Sequence, residues 1–243
     1  MPAPPTRRRP ALAALALAAG SAHAGHALQY EFWPEVDAYV GLSERSRLLF
    51  TAAGTRAMEA SAVQHGVALQ DAQFSANVDY TLAPILRRDV PVAEWSKNRL
   101  LWARLGFEYG TSARSGADAY RAYTGIVELN TRVPLQGTAW LTNRLRMDLR
   151  DINGQSSQRY RVRLGAEWDE HWAGHPVSPY TSVALLYDTR YDQWSRVALK
   201  AGLETPIGGD WRLEPYVVLQ LNRPQDELRR VLALGLTFKV YFD

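Results

Sequence analysis

The sequence predicts an all-β chain closed into an antiparallel transmembrane β-barrel, and three observations carry that prediction. Run after run alternates polar and apolar residues with period two, the period of a strand whose successive side chains point to opposite faces. Many runs exceed the roughly 5 to 6 residues of an average strand and reach the roughly 9 to 11 tilted residues that a bilayer requires. After residue 24 there is no long uninterrupted apolar run that could form a helical span, and no helical pattern is present to cover the apolar stripes.

The chain opens with Arg7, Arg8 and Arg9, then an apolar run from Ala11 to Ala19, then Ala22-His23-Ala24. A basic head, a short apolar stretch and an A-x-A site describe a secretory signal peptide, cleaved after Ala24 with Ala22 as the other small residue of the site. The apolar run falls short of the roughly 20 residues of a membrane anchor. The expected organisation is a signal peptide over residues 1–24 and one barrel domain over 25–243. Removing the leader takes away three arginines and no acid, so 28 Lys+Arg against 25 Asp+Glu becomes 25 of each. A neutral mature chain lacks the basic excess that nucleic-acid binding needs. With no cysteine, it is stable without disulfides.

The alternation places strands near 33–42, 46–57, 68–83, 98–110, 119–133, 138–150, 158–169, 179–190, 194–206, 210–222 and 229–242. In the strand at 98–110, Leu101, Ala103, Leu105, Phe107 and Tyr109 oppose Arg104 and Glu108. At 138–150, Leu141, Leu145, Met147 and Leu149 oppose Thr142, Arg144, Arg146, Asp148 and Arg150. At 158–169, Tyr160, Val162, Leu164, Ala166 and Trp168 oppose Arg159, Arg161, Arg163 and Glu167. At 194–206, Val197, Leu199, Ala201 and Leu203 oppose Arg196, Lys200 and Glu204. The last strand sets Leu232, Leu234, Leu236, Phe238, Val240 and Phe242 against Ala233, Gly235, Thr237, Lys239 and Tyr241.

Pro134–Gly137 and Gly208–Asp210 read as tight turns, whereas 58–67, 110–118 and 151–157 read as longer loops, the two-rim pattern of outer-membrane barrels. The charged segment 87–98 is long where a short turn is due. Bacterial barrels have even strand numbers, so the eleven visible runs predict twelve strands, with ten as the alternative. A merged pair between 46 and 97, or a strand missed near the N-terminus, would make up the count. A soluble lipocalin-like barrel is the inside-out rival, with the bulky apolar faces inside and the arginines outside. The 12 tyrosines and 8 tryptophans supply interfacial girdles for the membrane reading.

In that reading the charged faces meet in the lumen. A hairpin turning near Asn153 and Gly154 sets Asp148 near Arg161 and Arg146 near Arg163, within about two residues of register, and brings Asp188 to the other side of Arg161 or Arg163. Cross-strand pairs of this kind contribute roughly 0.2 to 1 kcal/mol each. Glu128, Arg132, Arg144, Arg150, Glu167, Arg190 and Arg196 extend the lattice around the wall, with Glu204, Arg212 and Glu214. The same residues suit a narrow channel with a charged lumen or a salt-bridged plug in a structural envelope component.

Signs of catalysis are thin. The chain has no G-x-S-x-G elbow, H-E-x-x-H, P-loop or G-x-G-x-x-G. An outer-membrane lipid hydrolase or deacylase is the rival function, and Ser61 with His65 is the pair it would use. Asp169, His171 and His175 have tolerable metal spacing, and Asp188, Asp192 and Asp226 suit calcium. Polar turns account for both groups, so neither metal nor cofactor is expected.

The C-terminus, Leu234 to Asp243, resembles the assembly signal of outer-membrane proteins in Gly235, Phe238, Val240 and Phe242, although Asp243 follows the usual final aromatic. That resemblance implies insertion by the barrel-assembly machinery into a membrane of lipids and lipopolysaccharide. The segments Tyr187–Arg196, Ala201–Glu204, Trp211–Tyr216 and Phe32–Glu35 resemble a Gram-negative outer-membrane β-barrel family known only as a domain of unknown function. The resemblance implies the barrel and the outer membrane, and it carries no activity.

Overall fold

The computed structural model describes residues 28–58, 69–84, 99–112, 119–135, 138–223 and 228–242. The proposed signal peptide, with Ala22 and Ala24, lies outside them. So do Ser61, His65, Asp226 and the segment 87–98. Twelve strands follow in order: β1 (Leu28–Gly41), β2 (Ser46–Ala57), β3 (Asp71–Pro84), β4 (Arg99–Ser112), β5 (Arg121–Pro134), β6 (Ala139–Ile152), β7 (Gln155–Trp168), β8 (Glu170–Trp172), β9 (His175–Asp188), β10 (Gln193–Gly208), β11 (Trp211–Asn222) and β12 (Arg229–Phe242). All are 12 to 16 residues long except the three-residue β8. A 14-residue strand tilted about 45° rises roughly 33 Å at ~3.3 Å per residue, enough for a hydrocarbon core of about 30 Å.

Each long strand pairs with the next, and β12 pairs with β1 to close the ring, while β8 only folds back on the start of β9. Among the described residues the wall therefore has eleven strands, with one extra short strand. The eleven runs read from alternation are the eleven wall strands, and the parity argument for a twelfth or tenth wall strand does not hold. An odd meander brings its first and last strands together pointing the same way. Accordingly every seam is antiparallel except β1–β12, which runs parallel from Leu28↔Arg230 to Val40↔Phe242. Both strands begin at one rim, here the N rim, and end at the other, the C rim. Leu28 and Phe242 thus stand at opposite rims.

Side-chain distribution is inverted relative to a soluble fold. The largest fully buried side chains are Glu128, Asn130, Thr237, Asp79 and Asp148, all polar. Leu105 is 60% exposed, Phe74 55% and Leu234 51%, all outward. A soluble barrel would bury the second set. Here the alternation turns the apolar set outward, the arrangement of a barrel whose exterior solvent is lipid. Tyr160, Leu164 and Trp168 of β7 take the outer face as predicted.

One connector differs from expectation. Residues 151–157 are not a loop: Asn153 and Gly154 alone form the turn, with φ of 53° and 82°, and Gln155 to Ser157 pair with Ile152 to Arg150. Two successive positive φ values define the hairpin turn whose twist matches the strands, and Asn-Gly tolerates it best. The amide of Gly154 also donates to the Asp151 carboxylate at 2.9 Å. A Cβ at Gly154 would meet nothing within 4 Å, so Gly154→Ala incurs only backbone strain. We expect it to cost about 1 to 2 kcal/mol, read as a shift of the urea midpoint of the folded form. No measurable shift would contradict the left-handed turn.

Candidate functional site

Inward side chains enclose a cavity of about 1460 Å³ in the lumen. It is lined near the N rim by Gln29, Asp71, Tyr120, Arg159, Arg196 and Asn222, and extends inward to Tyr39, Leu49, Glu214 and Lys239. Tyr120 lies just outside the strands. Burial and the Asp71 carboxylate beside it hold its phenol well above the usual value, so it stays protonated.

Toward the C rim the lumen is filled. Asp79 is wholly buried and accepts from Arg104 at 2.6 Å, Arg47 at 3.0 Å and Arg99 at 3.3 Å. Arg104 continues to Glu128 at 3.8 Å, and Glu128 to Arg144 at 3.5 Å. The Arg47 guanidinium lies 4.5 Å over the Tyr39 ring, which stacks on Tyr241 at 4.7 Å. Arg132 pairs with Glu167 and covers Trp140 at 4.4 Å. Lys239 and Arg212 meet on Glu204. Asp79, Arg47, Arg99, Arg132, Trp140, Arg212 and Tyr241 are all less than 9% exposed, so this half of the lumen is a packed polar floor.

The middle layer is built on glycines. Tyr216 of β11 has Gly202 of β10 and Gly235 of β12 as its two cross-strand partners. Its ring occupies the space a Cβ on Gly235 would need, and Lys200 sits 3.6 Å over that ring. Lys200 also donates to Glu214 at 2.7 Å, as does Lys239 at 2.6 Å, and Tyr180 donates to the same carboxylate.

The residues read from sequence as a lumen lattice are distributed unevenly. The β6–β7 register sets Asp148 opposite Arg159, Arg146 opposite Arg161, and Arg144 opposite Arg163, a two-residue shift from the expected register. Asp148 takes Arg146 and Arg159, the latter at 2.6 Å, and Arg146 also reaches Glu108 at 3.5 Å. Asp188 takes Arg150 at 2.6 Å and neither Arg161 nor Arg163. Arg196 donates to the neutral Asn222 at 2.8 Å. Arg190 does not join the wall: it is exposed in the turn after β9, where its amide donates to Asp188. Among the described residues no carboxylate lies within 4.0 Å of the Arg161, Arg163 or Arg196 guanidinium.

Across the ring from β7 in strand order, β1 presents Glu31, Glu35 and Asp37 to the same cavity. Their hydrogen-bond donors are neutral: the Trp33 indole at 2.6 Å, the Thr237 hydroxyl at 3.4 Å and the Thr51 hydroxyl at 2.7 Å. The cavity thus has a cationic wall and an acidic wall. The cluster on Asp79 was missed from sequence, although the polar face Gln73, Ser75, Asn77, Asp79 and Thr81 was its visible signal. Of the assembly-signal residues, Phe238 and Phe242 are exposed outward, Val240 is outward but covered, and Gly235 faces the lumen. His171 and His175 sit in the exposed β8–β9 hairpin at the C rim, and among the described residues no group of three potential metal ligands is found.

No family model matches the chain, and no curated protein matches it. Among solved structures it is similar to the β domain of the Bordetella autotransporter BrkA, at 14% identity and a TM-score of 0.40, over 79% of this chain and 78% of that one.

Proposed function

We propose that the protein is a non-enzymatic outer-membrane β-barrel of a Gram-negative envelope whose lumen is a vestibule ending on a closed floor, a structural or solute-binding barrel and not a continuously open pore. The observation that carries the reading is the floor: long charged side chains, paired and stacked, fill the C-rim half of an eleven-stranded wall, which is small enough for side chains to occlude. The apolar belt supports the membrane, with lipid and lipopolysaccharide as its surroundings. The resemblance of β12 to an assembly signal supports delivery by the barrel-assembly machinery, and the resemblance of Tyr187–Arg196 and Trp211–Tyr216 to an uncharacterised outer-membrane family supports the same location.

Heat-modifiable gel migration and envelope fractionation test the location: recovery in the soluble periplasm would end it. For the floor, planar-bilayer recording of the wild-type protein is expected to give no steady current steps. Stable wild-type steps in symmetric salt would replace the closed barrel with the narrow channel. A lipase or deacylase activity abolished by His65→Ala would overturn the non-enzymatic part.

A further inference from the structure

We infer that the vestibule holds an oxyanion site of the phosphate class on β7, β9 and β10. The register is the starting point: Arg161 of β7 and Arg196 of β10 are both Cα partners of Leu186 on β9, one on each side. Their Cα atoms therefore stand about 10 Å apart, twice the inter-strand spacing. Arg163 lies two residues along β7, opposite Ala184, and Ser182, Ala184 and Leu186 line the cavity between the flanking cations. Leu186 separates Arg161 from Arg196, and the short side chains of Ala184 and Ser182 beside it leave a recess with a cationic rim.

Charge decides what fits it. Arg161 and Arg163 face Arg146 and Arg144 directly across the β6–β7 seam, and like charges in that position repel. The neighbours have close partners, Arg146 and Arg159 in Asp148 and Arg144 in Glu128, while Arg161, Arg163 and Arg196 have no carboxylate within 4.0 Å among the described residues and feel Asp148, Glu128 and Glu31 only from farther away. The carboxylates Glu31, Glu35 and Asp37 stand on β1, across the ring from β7 and three strands from β10, where Glu31 is near enough to Arg196 to attract it without an ion pair. A carboxylate ligand carries one negative charge and leaves most of this excess. A phosphate monoester carries about −1.5 to −2 at neutral pH and offers three acceptor oxygens for guanidinium forks. The cavity has room for the body of the molecule bearing the phosphate. The same chemistry is found in a free phosphorylated solute and in a phosphate-bearing lipid headgroup. This site depends on the vestibule reading but not on the floor being sealed.

The test uses the full chain folded in maltoside micelles, titrated with sodium phosphate and pyrophosphate at ionic strength held constant with sodium chloride. Trp33 lines the same cavity, so a change in the chain's tryptophan fluorescence that a Trp33→Phe variant loses is one readout, and the temperature at which the heat-modifiable form is lost is the other. Saturable changes with phosphate or pyrophosphate beyond the chloride control are expected, weakened about tenfold or more by Arg161→Gln or Arg163→Gln. Without anion the double variant should be at least as heat-stable as wild type, because it loses like-charge repulsion. A second arm compares nanodiscs of phosphatidylglycerol with phosphatidylcholine: a shift confined to the former, and lost in the double variant, assigns the site to a headgroup. Absence of response in both arms, or an undiminished response in the double variant, overturns the site. Wild-type bilayer conductance would end the closed-floor reading and leave this result standing.

Discussion

Asp79→Ala is expected to destabilise the barrel by about 3 to 5 kcal/mol, the range found when one member of a buried ion cluster is removed. Asp79 is the carboxylate on which Arg47, Arg99 and Arg104 converge, and it has no exposed surface. Deleting it leaves three guanidiniums packed together, and among the described residues only Arg104 retains a second carboxylate, Glu128 at 3.8 Å. Native domains have total stabilities of roughly 5 to 15 kcal/mol, so the loss is a large share of the whole. Urea-dependent loss of the fast-migrating folded band measures it. Arg47→Met provides the contrast, since Asp79 would keep two cations and the loss should be smaller. A cost below about 1 kcal/mol for Asp79→Ala would mean that water reaches the cluster and that the floor is not packed. The same variant should admit current in a planar bilayer where the wild type does not.

The second large effect belongs to the glycines beside Tyr216. A Cβ at Gly202 would come within 2.7 Å of the Tyr216 Cβ and 2.8 Å of the Pro215 carbonyl oxygen, both tied to the β11 backbone. A Cβ at Gly235 would come within 2.0 Å of the Tyr216 ring. Overpacking of this kind costs typically about 1 to 3 kcal/mol, and Gly202→Ala should lie at the upper end because backbone cannot swing aside. Gly235→Ala displaces a ring, and with it the contact between Tyr216 and Lys200. Tyr216→Ala combined with Gly235→Ala should therefore recover part of the loss in unfolding midpoint. Strict additivity of the two single effects would show that ring and glycine do not compete for the same space.

The strands were legible because a membrane barrel places different solvents on its two faces, and the conflict is written residue by residue. Leu101 to Tyr109 against Arg104 and Glu108 is such a record, and most strands of the wall were visible in the same way. Two lapses show where local pattern stops. Gln155, Ser156 and Ser157 are all polar, so no alternation marks them as strand, and only the turn at Asn153 and Gly154 draws them into the ladder. Twelve strands are present as expected, but only eleven enter the wall, since parity is a property of ring closure and no residue of β1 records that its neighbour β12 runs parallel.

The candidate site was less legible. Sequence placed Arg161 and Arg163 on the polar face of their strand, but which carboxylate each would meet depended on a two-residue register and on β9 arriving beside β7. The register gave Asp148 to Arg146 and Arg159, and Asp188 to Arg150, leaving Arg161 and Arg163 over the cavity. Asp79, Arg47 and Arg99 come from the consecutive strands β3, β2 and β4, and they meet through a register that sets Arg47 directly opposite Asp79 and lets Arg99 reach in from the start of β4.

Sequence by itself determined which face of each strand meets an apolar solvent and which meets charge, because period-two alternation is a local consequence of the extended backbone. Tertiary structure alone decided the number of wall strands, the parallel seam, and the split of the charged face into a packed floor and a cationic wall without close carboxylate partners. Those outcomes depend on which strands become neighbours and in what register, and Coulomb pairing between long side chains is settled over a few ångströms that alternation cannot specify.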